Sequence, residues 1–402
     1  MKNKINDIVK QVVLSEIISV RTIDDFVGLL NKTYNAKYSN NSNPKIISKK
    51  QLIYFAYNTN TSYNIFAIKK KSGKLRYISA PVKSLKIIQE LISEILYACA
   101  SIDDCACGFV RERNVATGAK VHVGKNYVFN IDLKDFFDSF EQYQVHRLLN
   151  NLFSRYINSN QLNSITNLIA YLCCCQKEVE RKEGDLFIKV KRYVLPQGAP
   201  SSPILTNLLC GLLDKRLNGL ANKYGAQYSR YADDITFSHS KNIFIEDSGF
   251  RKQVQAIIEA TPNLYINPQK TRLQGRRYRQ EVTGLVVNDK VNIPKRYTNQ
   301  IRKWLYYWEH YGYQRANTYF VEYYMEDRGY LRKSKPELDN VLRGKLNYLR
   351  MIKGHDNSTY QHFKSRYERL KCLDTATILD TQHADTNNIT IYEVIKTIID
   401  VI

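Results

Sequence analysis

The spacing of apolar and polar positions divides the chain into helical and extended segments. Residues 5–33 alternate apolar and charged positions at helical spacing, and the Asn/Ser-rich stretch Asn35 to Pro44 then breaks the pattern as a linker or exposed loop does. Tyr63 to Ile68 and Leu75 to Ile78 are β-patterned runs joined by a basic, Gly-containing turn, which predicts a hairpin with cations at its tip. Ser84 to Ala100 is an amphipathic helical pattern, whereas Gly108 to His122 has no clear period and predicts loop. Tyr127 to Asp132 reads as a buried strand ending in an acid, residues 142–175 as mostly helical, and Phe187 to Tyr193 as part of a basic strand pair. Leu195-Pro196-Gln197-Gly198-Ala199-Pro200-Ser201-Ser202-Pro203 is too rich in Pro and Gly for regular structure, and a helix from Ile204 to Leu220 follows at once. Small residues in such a rigid loop let another chain approach closely.

Further on, Tyr228 to Phe237 predicts a hairpin with Asp233 and Asp234 at its tip, and Ala232 forms the tightest part of the turn. A helix over Phe250 to Ala260 is followed by a strand and turn over Leu264 to Arg272. A second hairpin, through Asn288-Asp289, joins Glu281 to Asn288 with Lys290 to Pro294. Lys295 to Tyr324 and Leu338 to Leu373 are helical and strongly basic, and from Asp374 the charge turns acidic. These shifts imply an N-terminal helical segment and linker at 1–48, a main body at 49–290, a helical region at 291–373 and an acidic tail at 374–402.

Charge narrows the partners. Sixty Lys and Arg against 38 Asp and Glu leave +22 over 402 residues, which points to a polyanion. The 30 tyrosines, many interleaved with cations as in Lys303-Trp304-Leu305-Tyr306-Tyr307-Trp308, suit stacked bases and phosphates. Eight cysteines without Cys-x-x-Cys spacing exclude a zinc finger, and Cys173-Cys174-Cys175 reads as small buried hydrophobes on a helix. No apolar run reaches the roughly 18 residues that span a bilayer, and no signal-peptide core follows Met1. A reducing bacterial cytoplasm is the expected location, with no membrane partner.

The candidate chemistry lies in carboxylates. Adjacent acids at a turn repel one another, and divalent ions relieve the repulsion. Asp132 and the Asp233-Asp234 pair would lie on neighbouring strands of one sheet and could hold two metal ions roughly 4 Å apart for in-line phosphoryl displacement. Asp135 and Asp138 read instead as a helix cap and a surface charge. The hairpin cations suit a triphosphate, since Lys supplies a point charge and Arg a planar fork.

Five segments in order resemble the reverse transcriptase family from about Tyr63 to Asn292. They are Phe66-Ala67-Ile68-Lys69-Lys70 with Arg76, the Asp132 strand, Leu195-Pro196-Gln197-Gly198, Tyr231-Ala232-Asp233-Asp234, and the Lys270 turn. Within the family the chain is most similar to bacterial retron enzymes, through Val282-Thr283-Gly284 and the thumb-like Leu342 to Tyr348 with Lys353-Gly354. The retron Asn-Ala-x-x-His motif stands here as Gly118-Ala119-Lys120-Val121-His122, with Gly for the usual Asn.

The resemblance implies an α+β right-hand polymerase with fingers, a palm built on an antiparallel sheet, and a helical thumb. It implies Asp132, Asp233 and Asp234 as ligands of two Mg²⁺, with Mn²⁺ as a possible substitute, and Asp132 and Asp233 as the bridging pair. Lys70 and Arg76 would neutralise the triphosphate, Gln197 would contact the incoming nucleotide and template, and Phe137 would be the steric gate against a ribose 2′-hydroxyl. Lys270 is a candidate acid for pyrophosphate. His122, Val282, Thr283, Gly284, Lys303, Arg343 and Lys345 would meet primer or structured RNA. The implied partners are deoxynucleoside triphosphates, a structured non-coding RNA serving as template and primer, its DNA product and an effector protein. The implied product is branched RNA–DNA used against phage. The alternatives are another defence-associated or intron-type reverse transcriptase without a branched product, an RNA-synthesising palm enzyme, and a catalytically idle RNA-binding scaffold.

Overall fold

The computed structural model describes residues 2–39, 46–69, 73, 75–184, 186–328 and 336–382. The chain divides into two compact units, Met1–Ile68 with Leu75–Thr283, and Lys69–Lys74 with Gly284–Ile402. Helices and antiparallel strands mix in an α+β arrangement.

The first unit is built on a four-stranded sheet. Its strands are β3 (Tyr127–Asp132), β6 (Gln227–Tyr231), β7 (Asp234–His239) and β8 (Arg272–Gly275), in the order β6-β7-β3-β8. Of the two-stranded hairpins, β1 (Tyr63–Lys69) with β2 (Leu75–Pro81) precedes it in sequence and β4 (Cys175–Glu183) with β5 (Leu186–Val194) falls between β3 and β6. β3 runs antiparallel to β7 with Phe129 opposite Phe237, Ile131 opposite Ile235 and Asp132 opposite Asp234. Four consecutive buried residues in β3 explain why the sequence shows an apolar run there and no alternation. In this register Asp132 stands at the acidic end, and a slip of one residue would turn it away.

Helix Lys83–Cys99 follows directly from its apolar spacing. Leu85, Ile88, Leu91, Ile92, Ile95, Leu96 and Cys99 are all buried, each worth about 1.5–3 kcal/mol if aliphatic. The N-terminal pattern resolves into two helices, Lys2–Ile17 and Ile23–Lys37, the second opened by a Thr22 and Asp25 capping box. Their buried Val9, Val13, Ile17, Phe26 and Leu30 join the same continuous core as β3 and β7.

Five local expectations need correction. The stretch expected to be loop contains the helix Val115–Lys120, capped by Asn114, whose side chain accepts from the amides of Ala116 and Thr117. Six residues are too few to show a period. The cysteine triplet straddles a helix end, with Cys173 closing the helix and Cys175 opening β4, although all three are buried. The helix expected over Ile204 to Leu220 is two, Ser202–Leu209 and Gly211–Lys223. Asp138 is no free surface charge, since Lys177 bonds both its oxygens at 2.7 Å, and Asp135, at φ 44°, caps no helix with its side chain.

In the second unit Val286 and Asn292 exchange both backbone hydrogen bonds, as the Asn288-Asp289 hairpin predicts. The helical stretch Lys295–Arg328 is broken at Gly312, whose φ of 72° and ψ of 165° are non-helical. Trp304 and Phe320 would stand about 24 Å apart along a straight helix. Their ring centroids are 5.1 Å apart, so the chain folds back on itself at the glycine. Helices Leu338–Lys353 and Ser358–Gln382 complete the unit. Asp374 accepts from the Trp308 indole at 2.7 Å, while residues 383–402 of the acidic tail lie outside the described residues.

Candidate active site

The acidic end of the sheet gathers the predicted carboxylates. β6 and β7 are joined by Ala232 and Asp233, and Ala232 adopts φ 57°, a left-handed conformation costing a non-glycine residue roughly 1–2 kcal/mol. Turning the chain this tightly aims the Asp233-Asp234 pair at the end of β3, where the register places Asp132. The Leu133 amide donates to the Asp233 carbonyl at 3.0 Å and fixes the turn against the neighbouring strand.

Burial pushes the Asp233 carboxyl up, and Asp132 adds to the shift while Lys270 and Arg76 oppose it. Asp234 is pushed up to about 7, chiefly by burial and next by the charge of Asp233. Lys270 donates to both oxygens of Asp132, at 2.8 and 2.9 Å, and the Asn267 side-chain amide donates to one of them at 3.2 Å. An all-oxygen set of three converging carboxylates, two of them held above the usual range by burial and mutual repulsion, fits a hard divalent cation. Among the described residues no group of three or more His, Cys, Asp or Glu side chains is set to hold a metal ion, and Lys270 is paired with Asp132.

Around the acids stand aromatic and polar groups. Phe137 packs edge-on to Phe136 at 5.6 Å, and its other neighbour is Phe109 at 6.1 Å. Phe109 also lies 6.2 Å from Tyr231 and takes φ 59°. The Gln197 carbonyl accepts from the Ser79 amide at 2.9 Å, which docks the Pro/Gly-rich loop on β2. A Cβ at Gly198 would stand 2.7 Å from Ile78 Cγ2 and 3.0 Å from the Ser79 carbonyl, so the close approach predicted for this loop is made by β2. Arg76 is exposed on β2, and its charge is felt at Asp233. Lys70 lies outside the described residues.

His122 is a correction. Its ring is fully buried, with Nδ1 2.7 Å from Ser238 Oγ and Nε2 2.8 Å from Ser229 Oγ, so it braces β6 to β7 and has no face to offer RNA. Burial lowers its pKa to about 3 and keeps it neutral. Gly118 points the same way, since a Cβ there would meet the Cys107 side chain at 3.3 Å and Ser229 Oγ at 3.6 Å. The motif is an internal brace. Val282 is likewise fully buried, which leaves Thr283, at φ 49° with its hydroxyl donating to the Val115 carbonyl, as the more accessible of the two.

In the second unit Lys303 is exposed and lies over Tyr323 at 4.1 Å and Trp304 at 4.9 Å. Lys345 donates to Gln300 at 2.9 Å and covers Tyr297 at 4.4 Å, beside a cleft of about 430 Å³ that Gly284 also lines. Arg343 is exposed and donates to Asn340. Among the described residues no helix is long and apolar enough to cross a membrane.

Sequence reasoning missed Asn267 and Phe109. Asn267 precedes a proline three residues before Lys270, and that turn signal marks a backbone corner without revealing its contact to Asp132. Phe109 had no signal beyond its Gly neighbour.

Residues 68–287 match the family model described as reverse transcriptase (RNA-dependent DNA polymerase). The chain is 36% identical over 249 residues to the retron Mx65 reverse transcriptase of Myxococcus xanthus, covering 61% of this chain and 55% of that protein. It is 35% identical over 257 residues to the retron Mx162 reverse transcriptase of the same organism, covering 60% and 51%. Against the retron Ec86 reverse transcriptase of Escherichia coli it is 32% identical over 264 residues, covering 64% and 73%. The chain thus spans about half the length of the two Myxococcus relatives.

Proposed function

We propose, for a chain that belongs to the reverse transcriptase family and within it to the retron type, that it is an RNA-directed DNA polymerase copying a cognate structured RNA. The observation that carries this reading is the placing of Asp132, Asp233 and Asp234 at one end of the sheet, with Lys270 bonded to Asp132.

Asp132, Asp233 and Asp234 would hold two Mg²⁺, with Asp132 and Asp233 as the principal ligands. Bound there, the ions supply activation of the primer hydroxyl and charge stabilisation at the leaving pyrophosphate. The protein's own groups do the rest. Lys270 keeps Asp132 neutralised before loading and, once released, stands within reach of a leaving phosphate as a proton donor. Arg76, with Lys70, supplies cations for the triphosphate. Gln197, whose backbone is pinned to β2, presents its side chain to the nucleotide and template. Phe137, backed by Phe136 and Phe109, has little room to move aside for a 2′-hydroxyl and so selects deoxynucleotides. Thr283, Gly284, Lys303, Arg343 and Lys345 offer the primer and RNA contacts.

The finer reading follows the retron relatives. The product is a branched RNA–DNA molecule acting with an effector protein in anti-phage defence, in a bacterial cytoplasm. Residues 49–290 would form fingers and palm and 291–373 the thumb. Purification from the cells that naturally produce the protein tests it. An RNase-sensitive, DNA-containing species should accompany the protein and vanish in Asp233→Asn. A wild-type protein that carries none, and extends no RNA-templated primer with deoxynucleotides, sinks the proposal.

A further inference from the structure

Behind the Ala232 turn lies a buried polar network that the polymerase reading does not use. Arg230 lies two residues before Ala232 on β6 and is fully buried. Its Nε and one terminal nitrogen donate to the two oxygens of Asp214, at 2.8 and 2.6 Å. The other terminal nitrogen donates to Asn207 Oδ1 at 3.1 Å and to the Ala232 carbonyl at 3.2 Å. The Tyr228 hydroxyl donates to Asp214 at 2.7 Å, and the Asn207 amide donates to the Gly108 carbonyl at 2.8 Å. Asp214 and Asn207 stand on the two helices that follow the Pro/Gly-rich loop, so three elements meet on one guanidinium.

Gly108 closes the network from the other side. A Cβ on it would stand 2.7 Å from the Ala232 amide nitrogen and 3.1 Å from the Tyr231 carbonyl carbon. The Cys107 amide donates to the Arg230 carbonyl, and the Arg230 amide donates to the Cys105 carbonyl, both at 2.8 Å, so residues 105–108 run along β6 as an added edge. The turn is therefore clamped between a guanidinium on its carbonyl and a side-chain-free backbone on its amide.

A buried bidentate ion pair gains little stability over apolar residues of similar volume, because desolvation offsets the attraction. What apolar residues could not supply is a donor aimed at the Ala232 carbonyl, the group that a left-handed residue turns out of the strand ladder. We propose that Arg230, locked by Asp214 and Asn207, is a positioning residue that fixes the Ala232 turn and thereby the aim of Asp233, with Gly108 as the stop on the opposite side. The assignment rests on Asp233 being a metal ligand.

The test uses the full chain in two variants. The double variant Arg230→Met with Asp214→Leu removes the clamp while leaving no orphaned charge, and Gly108→Ala presses on the turn without touching the ion pair. Each is read by thermal unfolding, by Mn²⁺ binding measured calorimetrically without nucleic acid, and by kcat and KM for deoxynucleotide on a supplied RNA template and DNA primer. Both variants should fold but melt below the wild type, the double variant because it leaves the Tyr228 hydroxyl and Asn207 Oδ1 without these partners, and Gly108→Ala because its Cβ crowds the Ala232 amide. Mn²⁺ binding should weaken about 10-fold, as for loss of a group that orients a metal ligand. kcat should fall about 100-fold, as for an ångström-scale misplacement, with KM within about twofold.

A folded variant that binds Mn²⁺ and turns over like the wild type overturns the proposal. Loss of folding in both variants makes the network purely structural and overturns it as well. A wild-type protein that binds Mn²⁺ but never polymerises would sink the polymerase reading, while the binding difference between wild type and variants would still uphold the positioning role.

Discussion

Replacing Asp234 by Asn should stabilise the metal-free protein, by an amount that grows with pH. In the folded chain the Asp234 carboxyl is pushed up to about 7, first by burial and then by Asp233, from an ordinary value of 3.8. The unfolded chain therefore releases this proton near pH 4 while the folded chain keeps it. The unfolded state binds fewer protons between those values, so stability is greatest at low pH and is lost as pH rises toward 7. Each pH unit in that window is worth about 1.4 kcal/mol, which gives an upper bound of about 4 kcal/mol by pH 7.5. Relaxation and water entry reduce it, and about 2 kcal/mol is a fair expectation for a buried carboxylate. For a folding unit of this size that is a rise in Tm of roughly 4 °C for Asp234→Asn. The assay is thermal unfolding in EDTA at pH 5, 6, 7 and 8. The gap between the two proteins should be roughly a third of its full size at pH 5 and complete by pH 7 to 8, and saturating Mg²⁺ should raise the wild type more than the variant. Parallel curves across the pH range would refute the reasoning, because they would mean that the acids are not held against their own repulsion.

Four further outcomes follow. Divalent-ion affinity of the wild type should fall about tenfold per pH unit below 7, since a proton on Asp234 competes with the metal, and calorimetric titration with Mn²⁺ at pH 6 and 7 checks it. Lys270→Met should lower kcat by about 10²–10⁴ through loss of a proton donor while leaving Mn²⁺ affinity undiminished, because the competing cation on Asp132 is gone. Phe137→Ala should raise ribonucleotide incorporation relative to deoxynucleotide by about 10–100-fold, measured as the ratio of kcat/KM for the two substrates. His122→Ala should cost about 2–4 kcal/mol in chemical denaturation, from two lost hydrogen bonds and the cavity left behind, with RNA affinity of the folded fraction unchanged.

What was legible in the sequence, and what was not, follows a physical divide. The Asp132 strand, the Asp233 hairpin and the Pro/Gly-rich loop were readable because each carries its signal locally: an apolar run ending in an acid, two acids in a tight turn, residues that forbid regular structure. The register that sets Asp132 opposite Asp234 was not legible, because β3 is buried on both faces and an unbroken apolar run carries no alternation to choose between registers. The roles of His122 and Arg230 were hidden because a polar residue's partner lies far away in sequence. His122 bonds Ser229 and Ser238 more than 100 positions away, and nothing adjacent to a histidine tells whether it faces RNA or two serines. Arg230 stands three residues before Asp233 in a chain of net charge +22, where one more arginine reads as another nucleic-acid contact. Only the fold turns it inward, onto Asp214 and the Ala232 carbonyl. In a strongly basic protein an inward cation is the exception to the composition, and it is where a buried acid such as Asp214 is the better clue. An acid in a helix whose neighbours Leu213 and Leu217 are buried must have a partner, because an unpaired carboxylate there would cost several kcal/mol.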